Sequence, residues 1–341
     1  MKTFATATMV GISAGFALMA APASAATLDD VRARGYLQCG VHTGLFGFAE
    51  VGDDGEWSGL DVDYCRAIAA AIFDDPAAVR FTPLNAAERF TALQTGTIDV
   101  LLRITTWTMT RDASLGLTFA GVNYYDGQGF LVPADAGITT VADLDGGTIC
   151  VQTGTTTELN MADYFNSRGL TFTAVATAER AEAISAFEAG RCDAFTADAS
   201  NVYSARMTLA QPDAYVVLPE VISKEPLGPV VRQGDEQWLN IVKWTHFALL
   251  DAEELGVTQA NVGEMLASPN PEIQRLLGQN GATFGEMIGL ENDWATQIIT
   301  HVGNYGEIFD RNVGAGSPLG IERGLNALWT NGGIQYGMPI R

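Results

Sequence analysis

Strand signals alternate with helix signals from residue 36 to residue 197, and the helices stop at glycines. "YLQCGV" (36–41) is an apolar, strand-like run. Ser58 opens a helix as a capping box with Asp61 reaching back. Val62, Cys65, Ile68, Ala69 and Ile72 then share one helical face. "VRFTPL" (79–84) predicts a strand, 87–95 a short helix ended by Gly96, and "IDVLL" (98–102) the next strand. The order repeats with "GTICVQ" (147–152), a helix from about Thr157 to Gly169, "TFTAVA" (171–176), a helix over 178–189 ended by Gly190, and "DAFTA" (193–197). Alternation of this kind predicts an α/β fold, a mainly parallel sheet with helices on both faces.

About 316 residues follow a leader-like start, too many for one ordinary core, so two lobes are expected. "FTALQTGTIDV" (90–100) and "ISAFEAGRCDA" (184–194) echo each other at an offset of 94, each an apolar helix end, a glycine and an aspartate opening a strand. "GQGFLVP" (127–133) and "LGPVVR" (227–232) are extended runs suited to two crossings between the lobes. Lobe one is therefore expected to hold 26–131 and 233–341, and lobe two 132–232. Helical stretches are predicted at 235–255 and 291–311, and the tail 324–341 is expected to pack back on lobe one.

Residues 1–25 read as a secretory signal, with Lys2, a small-apolar run and Ala23-Ser24-Ala25 at the cleavage position. The run is short and broken by glycines, which argues against a membrane anchor. An exported, periplasmic protein cleaved near Ala25 is expected. Loss of Lys2 takes the formal charge from −21 to −22, leaving Lys224 and Lys243 as the remaining lysines. So acidic a chain excludes nucleic acid and anionic lipid as partners. Four cysteines in an exported chain suggest disulfides. Cys39 and Cys65 lie in the first strand and helix, and Cys150 and Cys192 each open a strand in the second half, so Cys39–Cys65 and Cys150–Cys192 are the expected pairs. Four free thiols are the alternative. No zinc spacing, phosphate loop or nucleophile elbow occurs, and no cofactor or metal is expected.

"TTWTMTRD" (105–112) sets an arginine behind three threonines, in a chain with only 19 Lys and Arg. By the offset of 94, the stretch from Ile104 corresponds to the stretch near Asp198. Ligands of open parallel sheets sit at the carboxyl ends of strands, so both stretches should face one cleft. An α-amino acid presents a carboxylate and an ammonium about one carbon apart. Arg111 supplies a planar fork for the first and Asp198 an anion for the second. Thr106 and Thr108 add hydroxyls, and Gly154, Thr155 and Thr156, after Gln152, open a helix whose amides can cradle an oxygen. The plainer readings are a surface pair between Arg111 and Asp112, an N-cap at Asp198, and a simple capping box in "TGTTTE".

"CGVHTGLFGFA" (39–49), "GLDVDYCRAIAAAIF" (59–73), "RFTALQTGTIDVL" (89–101), "TTWTMTRD", "VQTGTTTE" (151–158), "EAGRCDAFTAD" (188–198) and "LNALWTNGGIQYG" (325–337) together resemble the general L-amino-acid-binding proteins of ABC importers, within the polar amino-acid solute-binding family. The resemblance implies a two-lobed flytrap fold, and a monomer is expected. Its partners would be a free L-amino acid and the inner-membrane permease subunits of an ABC importer. It implies that Arg111 grips the α-carboxylate and Asp198 the α-ammonium, with Thr106, Thr155 and Thr156 lining the head-group site. Two positions depart from it: His42 and Ile104 stand where the family often has Asn. Arg103 is a candidate for a ligand side chain or a structural ion pair. Phe46, Phe48, Trp57 and Trp107 are candidates for stacking on the ligand or for the core.

Two rivals use the same scaffold. A periplasmic dehydratase would need an acid–base pair in the cleft. Of the three histidines, His246 and His301 fall in helical segments away from it. The sensor half of a receptor would need a membrane span and a signalling domain after the lobes, and neither pattern is read here.

Overall fold

The computed structural model describes residues 26–341, and the leader reading of 1–25 lies outside them. Two five-stranded sheets are built on one plan. The first runs Val79–Leu84, Leu37–His42, Val100–Leu101, Val230–Arg232, Leu117–Phe119. The second runs Phe172–Thr177, Gly147–Gln152, Ala194–Asp198, Gln128–Pro133, Tyr215–Val217. In each, the first three strands are parallel, and the fourth runs antiparallel to both of its neighbours. The echo in the sequence is thus a repeat of the third parallel strand and the helix before it, Arg89–Gln94 in one lobe and Arg180–Glu188 in the other.

Helices over Leu60–Phe73, Glu236–Glu254, Trp294–Val302 and Tyr305–Asn312 enclose the first sheet's core. Its fully buried members include Leu37, Val41, Tyr64, Trp238 and Phe309. Each large apolar side chain so buried contributes roughly 1.5–3 kcal/mol. The helix Leu60–Phe73 does not start as a capping box on Ser58. Gly59 holds the N-cap at φ 128°, and no side chain caps the helix. A Cβ at Gly59 would sit 2.2 Å from the Phe48 backbone, so the entry requires glycine. Asp61 is buried and accepts a hydrogen bond from the Ile104 amide at 3.1 Å instead.

The expected helix 291–311 is two helices. Gly303, at φ 86° and ψ −168°, breaks the chain, and Asn304 restarts it in a capping box with Glu307. The crossings also lie earlier than 131 and 232, since 128–133 belongs to the second sheet and 230–232 to the first. Between them Tyr124–Asp126 pairs antiparallel with Glu225–Leu227, a two-stranded ribbon joining the lobes.

Disulfides join Cys39 with Cys65 and Cys150 with Cys192, across Cα separations of 6.2 and 5.6 Å. The tail packs on the first lobe and reaches the ribbon. Asn326 accepts the Tyr125 amide at 2.7 Å and donates to its carbonyl at 3.0 Å, so a side-chain amide extends the ribbon's open edge. Among the described residues no helix is long and apolar enough to cross a membrane.

Candidate functional site

The two sheets point the carboxyl ends of their parallel strands at a common, nearly closed hollow with a cavity volume of about 30 Å³. From the first lobe come Arg89, Arg103, Ile104 and Thr106, and from the second Gln152, Thr155, Thr156, Arg180, Phe195 and Asp198. The lobes touch across it. Thr106 and Thr156 hydroxyls are 3.2 Å apart, and the Asn85 amide donates to Glu179 at 2.8 Å.

Asp198 ends the strand Ala194–Asp198 at the N-cap position of the helix Ala199–Thr208, yet its side chain caps nothing. Asp126, on the ribbon, accepts the Ser200 amide at 3.2 Å in its place. Asp198 is 7 % exposed and makes no side-chain hydrogen bond among the described residues. Burial, then the neighbouring Glu225 and Asp126, hold its carboxyl well above the usual range. Such a group gains from a cation. Glu225 is saturated by Thr106, Thr156, Asn160 and Ser223.

Arg111 is 8 % exposed, not a surface residue paired with Asp112. Thr108 caps its helix, the Arg111 Nη1 donates to the Thr106 carbonyl at 2.9 Å, and the Phe90 ring lies beneath the guanidinium at 5.2 Å. Arg111 therefore stands behind Thr106 and does not itself line the hollow, though it lies within the field of Asp198 and Glu225. Thr155 accepts the Glu158 amide and Glu158 accepts the Gly154 amide at 3.0 Å. The Gly154 amide is thereby taken, while the Thr155 and Thr156 amides keep no protein partner among the described residues. Gln152 is held by its Nε2 on the Ala178 carbonyl, which leaves its oxygen to the hollow.

Ile104 lines the hollow at φ 38°, a left-handed conformation that suits Asn or Gly and strains a β-branched residue by roughly 1–2 kcal/mol. His42 is fully buried behind the wall, with Nδ1 accepting the Gly44 amide at 3.1 Å and Nε2 unpartnered. Phe46 is half-buried and does not line the hollow. Phe48 and Trp57 pack in the first lobe, against Tyr124 and Phe81, and Trp107 stacks outside on Phe119. Among the described residues, Phe195 is the aromatic side chain that lines the hollow.

Sequence reading missed Arg89 and Arg180. Both precede or open amphipathic helices, where an arginine ordinarily faces solvent. Each is the first residue of the helix before the third parallel strand of its lobe, but the offset of 94 sets Arg89 against Ala183, so the echo did not align them. The other histidines lie elsewhere, His246 on Tyr64 and His301 on Asp74.

A polar hollow closed between two like-built lobes on a two-stranded ribbon defines a binding protein of the flytrap class. The chain belongs to family 3 of the bacterial extracellular solute-binding proteins, which matches residues 37–259. It is 57 % identical to the general L-amino acid-binding periplasmic protein AapJ of Rhizobium johnstonii, over 96 % of this chain and 97 % of that one. It is 53 % identical to the glutamate/glutamine/aspartate/asparagine-binding protein BztA of Rhodobacter capsulatus, over 95 % and 96 %. A solved ABC-transporter periplasmic binding protein from Brucella ovis, with glutathione bound, superposes with a TM-score of 0.92 at 61 % identity, covering 93 % of this chain and 100 % of that one.

Proposed function

We propose that this solute-binding protein captures a free L-amino acid in the periplasm and hands it, in the closed form, to an ABC permease. The observation that carries the reading is Asp198: a buried carboxylate, relieved of its capping duty by Asp126, facing a wall of arginines in one hollow. In this reading Asp198 takes the α-ammonium. Arg111 takes the α-carboxylate with its remaining N–H groups, and the free Thr155 and Thr156 amides at a helix start take the other oxygen. Thr106 and Gln152 orient the head group. A ligand bonded to both lobes stabilises the closed form, as coupling requires.

The relatives support the ligand class through what their names say they bind, and the leader-like start supports export. The test is a thermal-shift screen of the twenty L-amino acids with D-isomers as controls. A raised melting temperature for L- but not D-isomers is expected. A flat screen, repeated by calorimetry, rejects the reading.

A further inference from the structure

The crossing from the first lobe to the second is tied down residue by residue, and the ties change sides within one peptide bond. The Val122 carbonyl accepts Gln335 Nε2 at 3.2 Å, and the Asn123 carbonyl accepts the Tyr305 hydroxyl at 2.9 Å. Tyr124 stacks on Phe309 with ring centroids 6.0 Å apart. Tyr125 donates its amide to Asn326 at 2.7 Å and accepts Asn326 Nδ2 on its carbonyl at 3.0 Å. All of these partners belong to the first lobe, and Asn326 and Gln335 to its tail. The next residues are held from the other side. Asp126 accepts the Ser200 amide at 3.2 Å and the Gly127 carbonyl accepts the Ala199 amide at 2.7 Å, both at a helix start in the second lobe.

The return crossing is arranged alike. Pro226, opposite Tyr125 in the ribbon, has no N–H, and its carbonyl accepts the Trp107 amide at 2.7 Å. The Ile222 amide bonds the Gln128 carbonyl in the second lobe at 3.1 Å. At the level of Tyr125 and Pro226 both outer edges of the ribbon are therefore covered by first-lobe groups, Asn326 on one and Trp107 on the other.

Asn326 and Gln335 are 4 % and 2 % exposed, and such buried amides need partners. Both find them on the crossing strand. Asn326 is fixed in turn, since Arg323 Nε and Nη2 donate to its main-chain carbonyl at 3.1 and 2.9 Å and Arg323 pairs with Glu253 of the helix Glu236–Glu254 at 3.1 Å. The Gln335 amide bonds the Ala327 carbonyl at 3.1 Å, and the Trp329 amide bonds the Gln335 carbonyl at 2.9 Å, which closes the stretch 326–335 on itself. A line of bonds thus runs from a core helix through the tail to the Tyr125 backbone. The family match ends at residue 259, so both amides lie outside the matched residues.

A strand bends where its backbone is least tied. With Tyr125 held by one lobe and Asp126 by the other, the bend is confined to the link between them. We infer that the tail is a hinge brace: Asn326 and Gln335 bind the outgoing crossing to the first lobe and set its pivot at the Tyr125–Asp126 link, which narrows the range of open arrangements. Neither amide lines the hollow; they are positioning residues that act through the strand. A narrower open ensemble has less conformational freedom to lose on closing, so the brace strengthens ligand binding from a distance. The inference rests on the two-lobed closure of the reading above and not on its choice of ligand.

The test uses the whole mature chain, with L-glutamine as the probe. In the wild-type protein, residue-resolved amide exchange is expected to change on ligand addition at Asp126 and Gly127 and to stay constant from Val122 to Tyr125. Asn326→Leu keeps the bulk of the side chain and removes both of its bonds. It is expected to speed exchange at Tyr125 about ten-fold, the worth of one hydrogen bond. The same variant should broaden the size distribution of the ligand-free protein in small-angle scattering and weaken L-glutamine binding severalfold by calorimetry. Gln335→Leu should move each readout in the same direction, and it replaces Asn326→Leu if that variant does not melt cooperatively. Unchanged ligand-free scattering or unchanged affinity in a cooperatively melting variant overturns the brace and leaves the tail as a cover for the ribbon's edge. A ligand-induced change that already begins at Val122 in the wild type overturns it too. If L-glutamine does not bind, the ligand-free scattering decides the brace alone, while the amino-acid screen decides the reading of the ligand.

Discussion

Asp126 caps the helix that Asp198 begins, its Oδ2 accepting the Ser200 amide at 3.2 Å while the Asp198 carboxylate stays in the hollow. One acid holds the helix start, and the other is left without a side-chain hydrogen bond among the described residues. Burial raises Asp126 to about 6 even though its hydrogen bonds to Ser200 and Gly127 pull it down. In Asp126→Ala the helix start has no cap, and Asp198 is drawn toward it. The expected results are about 1 kcal/mol of lost stability and a roughly ten-fold loss of ligand affinity. Calorimetry showing unchanged affinity would detach Asp126 from the site.

Among the described residues the Arg111 side chain makes one hydrogen bond, from Nη1 to the Thr106 carbonyl. The rest of the fork is available to a carboxylate. Arg111→Ala should weaken ligand binding by several kcal/mol, because the ligand's carboxylate would be buried without its partner. Arg111→Lys keeps the charge and loses the fork, so it should recover only part. Wild-type affinity in the alanine variant would mean the carboxylate binds elsewhere.

The Asn85–Glu179 bond joins the two lobes. It forms only when the lobes meet, so its removal should act on departure more than on arrival. Glu179→Ala is expected to raise the ligand off-rate severalfold, the worth of about 1 kcal/mol, with little change in on-rate. Stopped-flow fluorescence measures both, and an altered on-rate with a constant off-rate would contradict the latch.

Asp251 lies under the tail, beside Trp329 and Tyr336. Gly337 packs so closely that a Cβ there would come within 2.0 Å of its Oδ1. Burial, with Glu254 and Glu272 adding repulsion, raises Asp251 to about 7. An unfolded aspartate titrates near ~3.9, so the native state binds the extra proton between those values. Its contribution to stability is full below pH ~4 and is lost as pH rises through about 7. Asp251→Asn should therefore melt higher than wild type at pH ~8, by on the order of 2 kcal/mol, with the gap closing at pH ~5. A gap independent of pH would show that Asp251 does not titrate there.

The periodic parts of the fold were legible because they rest on local signals. "VRFTPL" and "GTICVQ" are strands over the residues read from the sequence, and Gly96, Gly169 and Gly190 all stop helices at positive φ. What local pattern could not supply was which of two acids would cap a helix. Asp61 has the capping spacing and yet serves the Ile104 amide, because Gly59 enters the helix too close to the Phe48 backbone for a standard start. Asp198 has the capping position and yet is free, because Asp126 arrives from the ribbon. The break at Gly303 was visible as a residue and missed as a boundary, since the apolar period continues across it. Arg89 and Arg180 were hidden for a related reason: only tertiary packing decides whether an arginine at a helix start turns inward.

Each disulfide closes a loop within a single lobe, spanning 26 and 42 residues, and neither crosses the ribbon. Covalent stiffening is thereby confined to the jaws, worth a few kcal/mol apiece by loop closure, while the joint that must flex carries only hydrogen bonds. Thiol reductants should soften the jaws individually and leave the articulation between them as it was, so oxidation sets how well each half keeps its shape rather than how far the mouth can open.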